Sequence, residues 1–204
     1  MAKRNREEWR ARMRLQPIHQ DRHGKWVAIE LTQGQEAIVD ADDLEKVLDF
    51  GIWCVAEDMP GRYYVVTSKR QSDGRWKQFK LHRLILDCWN PEIFGDHIDG
   101  NGLNNRKHNL RLATKAQNSQ HRRKQTQGPS SSPYKGVFFD RRRPSNPWIA
   151  RIYVDGKSIY LKSYKTAEEA AIVYDIAALE HHGEFAVPNF KWRKLDSDEW
   201  ALIN

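Results

Sequence analysis

The stretch Gly95–Asn118, GDHIDGNGLNNRKHNLRLATKAQN, decides how this chain is read. Its centre, Asp99-Gly100-Asn101-Gly102, is built from residues that turn the chain sharply and continue neither a helix nor a strand. Strand-like runs flank it at Asp96–Ile98 and Asn109–Ala113. Thr114 followed by Gln117 is a capping box, in which hydroxyl and amide satisfy backbone donors that the first helical turn leaves unpaired. The predicted order is strand, long loop, strand, helix. A plain reading stands beside it: Asp96, Asn101, Asn104 and Asn105 are common turn formers, and Asp-Gly-Asn-Gly alone means only a loop.

Upstream, Trp26–Leu31, Ala37–Val39, Ile52–Ala56, Tyr63–Thr67 and Arg75–Leu81 read as strands, with Asp73-Gly74 as a hairpin turn. Asp42–Phe50 reads as a short helix. Leu81, Leu84, Ile85 and Cys88 fall at helical spacing, which predicts a helix over Leu81–Trp89 that Pro91 ends. Residues 1–16 carry Lys3, Arg4, Arg6, Arg10, Arg12 and Arg14 against Glu7 and Glu8, with Trp9 and Met13 four apart. They read either as a short helix that orders on nucleic acid or as an open basic arm.

Downstream, residues 124–133, KQTQGPSSSP, have the composition of a linker. Strands at about 148–154 and 157–164 then flank Asp155-Gly156, a favoured two-residue hairpin turn. That register pairs Ile152 with Ile159 and Ala150 with Leu161 on one face, and Arg151 with Tyr160 on the other. One face is apolar and the other cationic and aromatic, as a half-buried sheet requires. Thr166 and Glu169 form a second capping box. The helix behind it runs to Gly183, and its Ala170, Val173, Tyr174, Ala177 and Ala178 form a stripe that can lie close on the apolar face.

Composition narrows the function classes. The chain has 204 residues, 39% hydrophobic and 30% charged, with a mean hydropathy of -0.82. No apolar run approaches the ~20 residues of a bilayer span, and no hydrophobic stretch follows the basic N-terminus, so neither membrane insertion nor secretion is expected and the cytoplasm is the expected compartment. Cys54 and Cys88 alone make neither a disulfide scaffold nor a four-thiolate zinc site. The net charge is +7, but residues 101–165 hold 15 of the 34 Lys and Arg with only Asp140 and Asp155 as acids. The rest of the chain sums to -6. Such a block points to a polyanion partner, because a merely solvated surface interleaves both signs.

The run HRLILDCWNP with the stretch from Gly95 to Asn118 resembles the HNH nuclease family, in particular phage and intron-encoded homing-type endonucleases whose last motif position is Asn. The resemblance implies a DNA endonuclease with a two-stranded ribbon and a helix around one divalent ion, Mg²⁺ or Mn²⁺. Hydrolysis of a phosphodiester needs a base for water, charge stabilisation at the phosphorus and help for the departing 3′ oxygen. The motif assigns the base to His97, metal ligation to Asp96 and Asn118, and the holding of the long loop to Asn109. His121, three residues after Asn118, is a further group beside the site. His82 and His108 read as structural or phosphate-contacting. The products implied are 5′-phosphate and 3′-hydroxyl ends, and the family implies intron homing in a bacterial host cell.

The stretch from Tyr134 to Phe190 resembles the plant ethylene-response-factor, or Apetala-type, DNA-binding domain, which also occurs fused behind HNH nucleases. Tyr134-Lys135-Gly136-Val137, Trp148, Thr166–Ala171, Tyr174-Asp175, Gly183 and Asn189-Phe190 carry it. In that family a three-stranded sheet enters the major groove of double-stranded DNA while one helix backs it. The implied DNA contacts are Arg151, Tyr153, Tyr160 and Lys162 on the open face, Arg141, Arg142 and Arg143 in the preceding loop, and Trp148, which parity puts on the helix side but at the strand end. Phe138 and Asp140 stand where plant domains usually carry arginines, so the plant target sequence does not transfer.

The expected architecture is therefore α+β and modular: a ββα-metal nuclease core plus a three-stranded antiparallel sheet packed on one helix. Its expected parts are a basic N-terminal arm (1–24), a β-rich region (25–80), the HNH core (81–123), a linker (124–133), the DNA-binding domain (134–190) and a tail (191–204). Two rivals carry different functions: a non-catalytic, sequence-specific DNA-binding regulator that keeps the HNH fold, and an RNA-directed protein. RNA is disfavoured because a major-groove sheet cannot enter the narrow groove of an A-form duplex. The sequence leaves the oligomeric state open.

Overall fold

The computed structural model describes residues 6–122, 124 and 132–203. Lys3, Arg4 and most of the predicted linker lie outside them. The chain divides into two compact units, Met1–Thr114 and Lys115–Asn204. Both are α+β, with small antiparallel sheets and short helices, as the sequence predicts.

The first unit opens with helix α1, Arg6–Arg14. Of the two readings of residues 1–16 the helix is present, and the spacing of Trp9 and Met13 puts both in the core, 2% and 0% exposed. Trp9 Nε1 donates to the Glu30 carbonyl at 3.2 Å. Three of the four arginines of α1 pair with acids, Arg10 with Asp49, Arg12 with Glu30 and Arg14 with Glu45, and Arg6 donates to the Asp49 carbonyl.

Strands β1 (His19–Asp21), β2 (Gly24–Glu30) and β3 (Glu36–Asp40) make one antiparallel sheet, followed by helix α2 (Leu44–Phe50). Strands β4 (Cys54–Met59), β5 (Arg62–Arg70) and β6 (Trp76–Lys80) make a second. Val27, Ile29, Val39, Val47, Leu48, Trp53, Val65 and Leu81 gather between them with Trp9 and Met13 in a single core. Helix α3 covers Leu81–Ile85 only, shorter than the spacing predicts. The chain turns at Asp87, which takes a left-handed φ of 49°, and the Cys88 amide bonds back to the Arg83 carbonyl, so the helix closes before Pro91 is reached. Strands β7 (Phe94–His97) and β8 (Leu110–Ala113) form the predicted two-stranded ribbon.

The second unit begins with helix α4, Lys115–Gln120. Strands β9 (Val137–Phe139), β10 (Trp148–Val154) and β11 (Lys157–Tyr164) form a sheet in the order β11-β10-β9, backed by helix α5, Ala167–His182. The capping box at α5 is present, with the Glu169 amide donating to Thr166 Oγ1 at 3.1 Å and the Thr166 amide donating to Glu169 at 3.2 Å. The hairpin has the predicted pairs Arg151 with Tyr160 and Ile152 with Ile159, but Ala150 faces Lys162. Leu161 is the extra residue of a β-bulge, which re-aims side chains and increases local twist. Lys162 carries the cost as a φ of 124° on a residue with a Cβ.

Ala150, Ile152, Ala170, Ala171, Tyr174 and Ala178 meet between sheet and helix. Gly136 is required there, because a Cβ on it would stand 1.9 Å from the Tyr174 ring. Asp175, fully buried, accepts from the Asn189 amide and side chain, the Phe190 amide and Trp192 Nε1. Asn189 in turn bonds both the amide and the carbonyl of Lys135. Strands β12 (Trp192–Lys194) and β13 (Trp200–Leu202) form a hairpin in the region read as a tail.

Candidate active site

The ribbon β7–β8 places Asp96 opposite Arg111 and His97 opposite Leu110. Asp96 and His97 are both buried. The Arg111 guanidinium reaches one carboxylate oxygen of Asp96, Nε at 2.9 Å and Nη2 at 2.8 Å from Oδ2. His97 Nε2 stands 3.3 Å from Asn105 Oδ1. The Asn105 amide nitrogen donates to the Gly102 carbonyl at 3.2 Å, so its oxygen faces the ring and Nε2 must be the donor. In a neutral imidazole the lone pair is then on Nδ1. Burial pushes the His97 pKa below its ordinary value, against the opposing pull of Asn105 and of the Asp99 and Asp96 carboxylates, so the neutral form is favoured.

Asn109 ties the long loop together. Its Oδ1 accepts from the Asp99 amide at 3.0 Å, and its Nδ2 donates to Asp99 Oδ1 and to the Asn104 carbonyl, each at 2.9 Å. The ring contact to His97 comes from Asn105, which the sequence reading treated as a turn former. Asn105 is fully buried, and its amide donates to the Ile38 carbonyl of β3 at 2.8 Å. With the Ile38 amide bonding the Leu103 carbonyl, the loop adds a parallel bridge to that strand.

Arg106 fixes the same loop from the other side. Only 3% of its side chain is exposed, and its guanidinium meets Asp40 at 2.8 Å, Asp21 at 2.6 Å and the Gly24 carbonyl at 3.3 Å. The Arg106 guanidinium, with the His23 amide after it, holds the Asp21 carboxyl down at about 2. The β1–β3 sheet is thus the bed on which the loop lies. His108, at the end of that loop, stacks on His23 with ring centroids 4.0 Å apart.

His82, read as structural, stands beside His97: the rings meet edge to face at 4.8 Å, with Tyr64 5.8 Å from His82 and 6.1 Å from His97. Burial, and next the His97 ring, push its pKa well below the ordinary value. Its Nδ1 has no hydrogen-bond partner among the described residues. Gly95 makes this approach feasible, since a Cβ there would stand 2.5 Å from the His82 ring.

Asn118 lies on α4 and His121 in the turn after it, both half-buried and both in the second unit. The unit boundary thus falls inside the predicted core, between Thr114 and Lys115. On the three-stranded sheet Arg151, Tyr153 and Tyr160 are exposed. Arg151 and Tyr160 are direct neighbours on the face away from α5. Arg143 donates to the Tyr160 hydroxyl at 3.1 Å, and Arg142 pairs with Asp140 at 2.9 Å. Arg141 and Arg151 have no acidic partner among the described residues. Lys162 is exposed at the bulge. Trp148 is half-buried and packs on the core, with its ring 4.9 Å from Phe139.

The HNH endonuclease family profile matches residues 80–120, from the last residue of β6 through α4. A protein of Acanthamoeba polyphaga mimivirus described as an uncharacterized HNH endonuclease is 40% identical over 117 residues, which is 55% of this chain and 58% of that protein. An AP2/ERF and B3 domain-containing transcription factor of Arabidopsis thaliana is 38% identical over 74 residues, 36% of this chain and 21% of its own length. An AP2-like ethylene-responsive transcription factor of the same plant is 48% identical over 61 residues, 29% of this chain and 17% of its own length. The chain thus spans little more than half of the viral relative and about a fifth of the plant factors. Residues 80–120 are thus similar to the HNH endonuclease family, and stretches amounting to about a third of the chain are similar to AP2/ERF-type transcription factors of plants.

Proposed function

We propose that this chain is a metal-dependent endonuclease that hydrolyses phosphodiesters of double-stranded DNA, with His97 as general base and the β9–β11 sheet as the targeting surface. The observation that carries the reading is the buried His97 ring with its Nε2 3.3 Å from Asn105 Oδ1, a contact that makes Nε2 the donor and leaves Nδ1 as the basic nitrogen. Nδ1 takes the proton of the attacking water. Asn105 keeps the ring in that tautomer, and Asn109 keeps the loop that presents Asn105.

The residues present suit a hard divalent cation. Asp96 offers carboxylate oxygen at the strand end next to the base, and no group of three or more His, Cys, Asp or Glu gathers among the described residues, so an all-protein cage is not built. Asp96 would hold the ion; a further ligand at Asn118 is assigned by the resemblance of the motif alone. When bound, such an ion supplies charge stabilisation to the phosphoryl oxygens and the leaving oxygen. Mg²⁺ and Mn²⁺ both match oxygen donors, and one ion per site is what the resemblance implies.

Supercoiled plasmid is expected to be nicked by the full chain in Mg²⁺ and left intact in EDTA. DNA bound but uncut in Mg²⁺ and Mn²⁺, on plasmids and on phage genomic DNA alike, would give the role to the non-catalytic regulator instead.

On the targeting sheet, Arg151 combines exposure, a place beside Tyr160 and freedom from acids, the state of a side chain that can read a guanine edge. Arg151→Ala is expected to narrow the gap between preferred and scrambled duplexes by ~1–3 kcal/mol in a competition binding assay. An equal loss on both duplexes would make Arg151 a phosphate contact.

A further inference from the structure

We propose that the β5–β6 hairpin of the first unit is a second DNA-binding surface, which grips the phosphate backbone several base pairs from the phosphate attacked by the water that His97 deprotonates. The identity of the ligand rests on the endonuclease reading. The surface itself rests on charge, exposure and position.

The charge is hidden in the sum over the chain. Outside residues 101–165 acids outnumber bases, yet residues 62–83 hold seven Lys and Arg and one acid, Asp73. Arg62 is paired with Asp58 and Arg75 with Asp73. Lys69, Arg70 and Lys77 have no acidic partner among the described residues. Strand register puts Lys69 opposite Lys77 and Arg70 opposite Trp76, so like charges meet directly across the tip. Such a pair is unfavourable in the free sheet and is relieved by an anion.

The aromatic groups are placed for the same ligand. Trp76 is 71% exposed although it is the largest side chain of the hairpin. The Lys69 ammonium lies 3.4 Å from the centroid of the Phe50 ring. β4 pairs with β5 only as far as Cys54 with Val66, so the β5 edge beyond it is not covered by β4. A cleft of about 480 Å³ opens there, lined in part by Phe50, Ser68, Lys69, Arg70 and Trp76. Cations, a hydroxyl and an exposed indole fit phosphate oxygens together with the face of a sugar or base.

Position connects the cleft to the chemistry. Tyr64, Val66, Ser68 and Arg70 share one face of β5 by its alternation, with Lys69 and Lys77 on the opposite face, so the hairpin would meet the duplex with both faces of its tip, and Tyr64 stands 6.1 Å from His97. Six residues at ~3.3 Å each carry that face about 20 Å from Tyr64 to Arg70. At ~3.4 Å per base pair this is about six base pairs of duplex. A duplex with its cleaved phosphate at His97 is long enough to reach the tip.

The test uses the full chain in EDTA with a labelled DNA duplex, binding being followed as a function of KCl. The triple variant Lys69→Ala, Arg70→Ala, Lys77→Ala is expected to flatten the slope of log affinity against log salt by about 2–3, since each phosphate contact contributes ~0.9. Trp76→Ala is expected to weaken binding at least ~5-fold with the slope kept, the mark of a stacking contact. If the triple variant melts early, Lys77→Glu alone, on an exposed side chain, takes its place, and its slope must also fall. An unchanged slope and affinity in variants that melt like the parent overturn the proposal. Variants that bind with a lowered slope, from a parent that nicks nothing, would leave this surface standing and overturn the endonuclease reading. A parent without DNA affinity overturns both.

Discussion

His97→Ala is expected to lower the rate of plasmid nicking by ~10²–10⁴-fold, the usual contribution of a positioned general base, while DNA affinity in EDTA stays within about twofold. The split between the two readouts follows from burial. At 4% exposure the His97 ring contributes almost nothing to the surface that meets the phosphate backbone, so its loss is felt in the chemical step. Asn105→Ala should sit between parent and His97→Ala. It leaves the imidazole in place but frees Nε2, and a ring that is no longer held in one tautomer presents its basic nitrogen only part of the time. Single-turnover nicking of one supercoiled substrate by the three proteins gives both comparisons. Equal rates for His97→Ala and the parent would remove His97 from the role of base.

The ribbon was legible because its signals are local. Turn residues between two short apolar runs specify strand, loop and strand whatever the rest of the chain does. Asp155-Gly156 and the Thr166–Glu169 box are equally local, and both appear where they were expected. Register was legible only up to the bulge. Nothing in the alternation of Ala150 to Ile152 announces that Leu161 is looped out, because the cost falls on the backbone of Lys162 rather than on a turn residue. The burial of Trp9 and Met13 was written in their spacing, but the arginines around them read as part of a nucleic-acid-ordered helix or of an open arm until their partners Asp49, Glu30 and Glu45 came from elsewhere in the fold.

The site itself was half legible. Asp96, His97 and Asn109 announce themselves by motif. Asn105 does not, since an Asn in a Gly-rich loop has the same composition whether it turns the chain or carries a hydrogen bond to a buried ring. His82 lies fifteen residues before His97 and meets it only because Gly95 leaves room. Summing charge over all residues outside the basic block concealed the cationic hairpin, since acids elsewhere cancel it.

The least legible group is Arg106, whose partners lie 66 and 85 residues away. Arg106→Ala is expected to destabilise the first unit by about 3 kcal/mol, read as a fall in urea midpoint with the slope unchanged. The figure sits at the low end for a broken buried pair because Asp21 is 42% exposed and regains water, whereas Asp40, 16% exposed, is left with less solvent and the Lys107 amide. Arg106→Lys should recover only part of it, because one ammonium cannot serve two carboxylates and the Gly24 carbonyl as a planar fork does. Function should fall further than stability. Asn104 and Asn105 precede Arg106 directly and are bridged to Ile38, so loosening the arginine loosens the strand bridge that carries Asn105 to the His97 ring. Nicking by Arg106→Ala below its melting range is therefore expected to resemble Asn105→Ala. Parent-like nicking by a folded Arg106→Ala would mean that the loop holds its shape through Asn109 alone, with the β1–β3 sheet contributing stability but not geometry.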